Sequence, residues 1–153
     1  MRVIIQRVLN ANVKIDGEIH GKCDRGYLLL VGFTLNDNEK IVDQMADKIV
    51  NLRINEDDQG KTNLSLLTKG GEILSISQFT LYANCKEGRR PSFTEALNPA
   101  RATELYDYFN QKLRSYNIHV EEGIFGADIK VELINDGPFT IYLDSSELKM
   151  KGE

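Results

Sequence analysis

Gly26-Tyr27-Leu28-Leu29-Leu30-Val31-Gly32-Phe33-Thr34 is a nearly continuous apolar run. Its length and lack of polar alternation predict a strand buried on both faces. Working upstream, residues 2–8 are rich in Val and Ile and also read as a strand. Residues 12–15 and 18–20 flank Asp16-Gly17, a two-residue hairpin signal.

Downstream, Ile41, Met45 and Ile49 recur every four residues, with Val42 widening the stripe, and predict a helix over 37–51. Asn36 or Asp37 is placed to cap its start. Residues 52–54 read as a short strand, Asp57-Asp58-Gln59-Gly60 as a turn, and 72–78 as a strand introduced by Gly70-Gly71. Asn98-Pro99 supplies a cap and a first-position proline, starting a helix whose face carries Leu105, Tyr108, Phe109, Leu113 and Tyr116. Strands are expected over 118–121, 127–134 and 139–143, and the polar residues 144–153 are expected to form a frayed tail. The sum is an α+β protein with one domain over 1–143, a curled, mostly antiparallel β-sheet or barrel carrying two main helices.

The 153 residues are 41% hydrophobic and 27% charged, which excludes a largely disordered chain. The apolar run over 27–33 is far short of the ~20 residues a membrane helix needs. The first seven residues turn charged before any export signal could form, and Cys23 and Cys85 are the only cysteines, so a reduced cytoplasmic setting is expected. Net charge is −4, which argues against a bulk nucleic-acid coat while leaving a local basic patch at Lys86, Arg89 and Arg90. His20 and His119 fall in no metal-ligand spacing, and no phosphate-binding glycine loop is present. No metal or cofactor is expected. Neither the histidines nor the cysteines have a marked catalytic partner.

Two segments stand out. Ser75-Ile76-Ser77-Gln78-Phe79-Thr80-Leu81-Tyr82 is an apolar strand ending in hydroxyl and amide groups. Strand alternation would place Gln78 and Thr80 on one face and Ser77 and Phe79 on the other. Asn135-Asp136-Gly137-Pro138-Phe139-Thr140 is strong turn chemistry between two strands.

Together these two segments resemble the D-aminoacyl-tRNA deacylases, which cut D-amino acids from mischarged tRNA. The resemblance runs over almost the whole chain, through Ile5-Gln6-Arg7-Val8, Arg90-Pro91-Ser92-Phe93, Leu105-Tyr106-Asp107-Tyr108-Phe109 and Gly123-Ile124-Phe125-Gly126-Ala127-Asp128. It implies a homodimer in which a cis Gly137-Pro138 motif reaches into the other subunit's site and excludes L-amino acids with backbone carbonyls. It also implies that Arg7 holds that motif and that Phe125 lines the substrate pocket. Ile129 stands where many relatives carry Met, which removes any role particular to that thioether.

The implied substrate is an ester between a D-amino acid and the terminal ribose of tRNA. Thr80 is an obvious nucleophile, yet no base for it is visible in the sequence. The preferred expectation is non-covalent: backbone N–H groups near Phe79 and Thr80, with Ser77 and Gln78, orient the ester, and the neighbouring ribose hydroxyl assists water. Lys86, Arg89 and Arg90 are candidate contacts to tRNA phosphates. Activity on glycine mischarged to tRNA is implied too, because glycine lacks the excluded side chain. The alternative is a non-catalytic nucleic-acid-binding or replication-associated protein, which the short, near-neutral tail supports poorly.

Overall fold

A computed structural model describes residues 1–149. Its organising strand is β1 (Arg2–Ile15). One edge of β1 is hydrogen-bonded antiparallel to β8 (Lys130–Asp144), from Arg2 opposite Asp144 to Lys14 opposite Lys130. Its other edge pairs first with β3 (Gly26–Gly32) and then with β2 (Glu18–Cys23). The β1–β2 turn follows the sequence signal, with Asp16 at φ 51° and Gly17 at φ 81°.

The sheet is mixed, which corrects the mostly antiparallel expectation. β3 pairs in parallel with β6 (Glu72–Ser77), and β6 in parallel with β7 (Val120–Glu122). The β3–β6 crossover carries α1 (Glu39–Asn51), the small hairpin of β4 (Asn55–Glu56) and β5 (Thr62–Leu64), and the one-turn α2 (Leu66–Lys69). A crossover of this length is what parallel pairing requires. With α3 (Pro99–Arg114) the described residues form three helices: α1 and α3 are the two main ones expected, and α2 is too short to produce a helical period. Lys22 N–H donates to Glu121 across the gap between β2 and β7, so the curled sheet nearly closes.

β3 explains its own apolar run. Tyr27, Leu29 and Val31 face the helices, where Val42, Met45 and Ile49 of α1 meet Leu105, Phe109 and Leu113 of α3. Leu28 points the other way, into a second cluster with Val8, Val13, Cys23, Leu74 and Ile76. Each such buried aliphatic side chain contributes roughly 1.5–3 kcal/mol relative to exposure.

Local differences from the sequence expectation have identifiable causes. α1 starts at Glu39, capped by Asn38, whose side chain accepts from Ile41 N–H at 3.0 Å. Asp37 cannot cap because it holds the Met1 ammonium at 2.9 Å and the Thr34 N–H at 2.8 Å. α3 does begin at Asn98-Pro99, but Tyr108 is exposed and donates to Asp43, and Tyr116 lies beyond the helix end. Residues 52–54 are a connector, the adjacent strand being β4.

The two strands expected over 127–134 and 139–143 are one long strand, β8, interrupted by a bulge. Val8 faces Asn135 and Gln6 faces Thr140, so Asp136, Gly137, Pro138 and Phe139 stand opposite Arg7 alone. These residues must leave the ladder. Of the expected tail, Asp144 ends β8 with its side chain paired to Arg2, and Ser145–Glu147 form a 3-10 turn. Residues 150–153 lie outside the described residues.

Candidate active site

The first candidate segment leaves β6 after Ser77. Gln78 N–H donates to the Val31 carbonyl at 2.7 Å, and Phe79–Tyr82 then close a 3-10 turn. Strand alternation therefore stops at Ser77, correcting the expected two-face arrangement. The cause is in β3: a Cβ on Gly32 would sit 2.9 Å from the Gln78 oxygen and 3.1 Å from Leu81 Cβ, so only glycine lets the turn fold so closely over the sheet. Gln78 Nε2 donates to Thr80 Oγ1. The Phe79 and Thr80 N–H groups lead the turn, a position with no partner inside the helix.

Beside this turn is a pocket of about 490 Å³, whose walls include Ser77, Phe79, Phe93, Leu97, Ala102 and Phe125. It opens where the parallel strands β3 and β6 end, the usual place for a ligand in parallel sheets. Its lining is almost wholly apolar. Phe79, 54% exposed, meets Phe93 edge-on at 5.1 Å between ring centres. Phe125 packs toward Tyr106, whose hydroxyl donates to the Ser75 carbonyl at 2.7 Å. Burial pushes that tyrosine up to about 12, so it stays protonated.

Ser77, Gln78, Phe79, Thr80 and Phe125 are thus gathered in one place, and Phe93 joins them. Phe93 ends the Arg90-Pro91-Ser92-Phe93 segment through which the resemblance runs, but carries no role of its own there; an aromatic closing a polar, basic loop was the available signal. Lys86, Arg89 and Arg90 are exposed in the loop between the turn and Phe93, which is pinned at its neck by paired Asn84 and Ser92 backbones. Ile129 lies partly buried against the second core cluster.

Arg7, Gly137 and Pro138 are elsewhere. Arg7 is only 7% exposed; it donates to the Ile54 carbonyl at 2.8 Å and the Asp136 carbonyl at 3.2 Å, with its guanidinium 4.6 Å from the Phe139 ring centre. Asn135 closes the bulge by donating to the Arg7 and Phe139 carbonyls, each at 2.9 Å, while accepting from Phe139 N–H. The Gly137–Pro138 bond is cis, and Gly137 has φ 140° with no room for a Cβ beside Phe139. In register, Arg7 faces Tyr27, whereas Ser77 faces Val31 four residues further along β3.

Other candidates carry less. A larger groove of about 650 Å³ between α1 and the end of α3 has a polar, charged lining in which Lys112 pairs with Asp43 and the Tyr116 hydroxyl donates to Asp47. His119 pairs with Glu121 at 2.6 Å on the surface, and His20 is exposed. Cys23 is buried, and burial, with the Glu72 carboxylate adding, pushes its thiol up to about 12. Among the described residues no group of three or more His, Cys, Asp or Glu could hold a metal ion, and no helix is long and apolar enough to cross a membrane.

A pocket at the carboxyl ends of parallel strands, with backbone N–H groups leading the turn beside it, is an arrangement compatible with acyl-transfer hydrolysis. The family described as D-Tyr-tRNA(Tyr) deacylase matches residues 4–144. A D-aminoacyl-tRNA deacylase of Brevibacillus brevis is 54% identical over 95% of this chain and all of its own length. One from Thermosipho melanesiensis is 51% identical over 97% of this chain and 99% of its own. The solved structure of a c-Myc DNA Unwinding Element Binding Protein superposes with TM-score 0.88 at 38% identity, covering 94% of this chain and 98% of that one. The structure of a probable eukaryotic D-amino acid tRNA deacylase shares the fold with TM-score 0.82 at 16% identity, over 93% and 97% of the two chains. The chain belongs to the D-aminoacyl-tRNA deacylase family and is a hydrolase, as its curated relatives are.

Proposed function

We propose that this chain hydrolyses the ester between a D-amino acid and the terminal ribose of tRNA, in the cytoplasm, as a homodimer that leaves L-aminoacyl-tRNA intact. The observation that carries the reading is the turn after β6, whose Ser77 and Phe79 line an apolar pocket. Aromatic walls at Phe79, Phe93 and Phe125 suit the flat face of a terminal base. The Phe79 and Thr80 amides, with Ser77 and Gln78, take the ester carbonyl and stabilise the oxyanion. Water adds to the carbonyl carbon, the bond to the ribose oxygen breaks, and that oxygen leaves with a proton.

The Thr80 hydroxyl accepts from the Gln78 amide, which cannot take its proton, and the lining of the pocket beside the turn contains no carboxylate, histidine or lysine among the described residues. That favours a water assisted by the neighbouring ribose hydroxyl over a threonine nucleophile.

Chiral selection falls to the Gly137-Pro138 bulge, braced by Arg7. Four residues at about 3.3 Å each and three strand spacings of about 4.8 Å put the bulge roughly 19 Å from Ser77 along the sheet. One aminoacyl group cannot touch both within a single chain, which is the argument for a bulge supplied by a second copy. A wall of backbone cannot swing aside as a rotamer can, and the glycine lets the substrate α-carbon come close. Glycine esterified to tRNA carries nothing for such a wall to exclude and is a second substrate. Lys86, Arg89 and Arg90 lie where they can meet acceptor-stem phosphates.

The test is hydrolysis of matched D-tyrosyl- and L-tyrosyl-tRNA. Release of the D form alone is expected. If neither ester is cleaved while nucleic acid binds, the non-catalytic reading, in keeping with the DNA-binding name of the 38% identical relative, takes its place.

A further inference from the structure

The turn carrying the proposed catalytic groups is a single 3-10 turn, and its cap residue Gln78 makes no side-chain capping bond. Such turns are weak by themselves because their hydrogen bonds are poorly aligned. What holds its far end comes from the start of the chain. Arg2 Nη1 donates to the Leu81 carbonyl at 2.8 Å, and Arg2 Nε donates to Asp144 Oδ2 at 3.0 Å. The guanidinium lies 4.3 Å from the ring centre of Tyr82, itself only 5% exposed. The anchor is fixed in turn: Asp144 Oδ1 accepts from the Ser146 N–H at 2.9 Å and the Ser146 hydroxyl at 2.8 Å. In the ladders Arg2 stands between Gly32 and Asp144, so the same residue borders the glycine under the turn and the end of β8.

We propose that Arg2 is a positioning residue for hydrolysis, fixing the turn over 78–82 through the Leu81 carbonyl so that the amides of Phe79 and Thr80 keep their aim. The inference rests on the reading of this turn as the hydrolytic site. Only a planar fork can reach Asp144 and Leu81 together while stacking on Tyr82; a lysine ammonium is a point charge and must give up part of this. The turn then drifts, and a displacement near half an ångström lowers the rate about tenfold. Substrate binding, which depends on the pocket walls and the basic loop, is left in place.

The experiment compares the wild-type chain with Arg2→Lys and Arg2→Met, reading kcat and KM on D-tyrosyl-tRNA, amide hydrogen exchange over 78–83, and the thermal midpoint. Ser77→Ala and Gln78→Ala are run beside them. The expected result for Arg2→Lys is a kcat about tenfold lower, KM within about twofold, faster exchange confined to 78–83, and a folded protein. Arg2→Met should exceed it on the first and third counts; if that variant does not fold, Arg2→Lys alone decides. Unchanged kcat in Arg2→Lys, or unchanged exchange over 78–83, overturns the positioning role. The two controls tell the failures apart. If they lower kcat and Arg2→Lys does not, the site stands and the role of Arg2 falls; if they too leave kcat intact, the site reading itself has failed.

Discussion

Replacing Gly32 with alanine tests the site through a residue that cannot touch substrate by its own side chain. The added methyl carbon would lie 2.9 Å from the Gln78 oxygen and 3.1 Å from Leu81 Cβ, against 3.4 Å for ordinary contact. One side must move by about 0.3–0.5 Å, the difference between those distances. β3 is held by ladders to β1 and β6, so the turn yields. Overpacking of this kind costs about 1–3 kcal/mol, partly offset by the ~0.5–1 kcal/mol that alanine gains over glycine in a strand. At ~2–4 °C per kcal/mol the midpoint falls by a few degrees, and the displacement lowers kcat about tenfold. Gly123→Ala is the matched control, because its methyl would meet Ile129 and Ile76 at an ordinary 3.5 Å. The assay is single-turnover hydrolysis of D-tyrosyl-tRNA with thermal melts on the same preparations. Equal rates in the two variants, both folded, would refute the reasoning.

Thr80→Ala should retain substantial turnover, since the groups assigned to the oxyanion are the Phe79 and Thr80 amides with Ser77 and Gln78, not the Thr80 hydroxyl; background-level hydrolysis with intact binding would make that hydroxyl a direct participant. Arg89→Ala and Arg90→Ala should each reduce the slope of log affinity for tRNA against log salt by about 0.7–0.9, and an unchanged slope would retire the phosphate contacts. Burial works against ionisation of Asp144, but the Ser146 N–H and hydroxyl and the Arg2 guanidinium outweigh it and hold its pKa below the ordinary aspartate value. Its contribution to stability is therefore complete above about pH 4 and is lost as pH falls through the lowered value. Asp144→Asn should flatten the acid limb of the stability curve, and an acid limb identical to wild type would contradict this. Cys85, which is exposed, should alkylate readily in the folded protein, whereas Cys23, buried with its thiol pushed up to about 12, should react only on unfolding, as peptide mass mapping would reveal.

Features written in neighbouring residues were legible in the sequence. The Asp16-Gly17 hairpin and the Asn98-Pro99 helix start are local devices, and each formed where the residues demanded it. Pairing partners are a different matter: an apolar run announces burial on both faces but not whether its neighbour runs parallel, so the direction of β3, β6 and β7 was not legible. The turn after Ser77 depends on a missing Cβ at Gly32, far away in the chain, and strand alternation has no means of registering it. The start of α1 moves because Asp37 is taken by the Met1 ammonium, another long-range partner. The bulge at Asn135 is a turn in composition, as expected, yet its place inside one continuous strand is decided by the register with β1. Of the residues singled out, Ser77, Phe79 and Phe125 line one pocket; Phe93 joins them from the far end of the basic loop, and the Arg2 contact behind the turn, between residues 79 positions apart, has no local signal.

One strand touches both distinctive regions of the molecule. Arg2 grips the carbonyl behind the 3-10 turn, and Arg7 on the same β1 braces the bulge. Everything between them is extended backbone locked in ladders on both edges. β1 therefore works as a ruler, setting the interval between turn and bulge in whole residues. A side chain there can be exchanged with local consequences, but a residue inserted or removed between the two arginines shifts the interval by about 3.3 Å and turns the rest of the strand over. Length variation belongs instead in places such as the exposed turn tip over 58–60, where nothing is being measured.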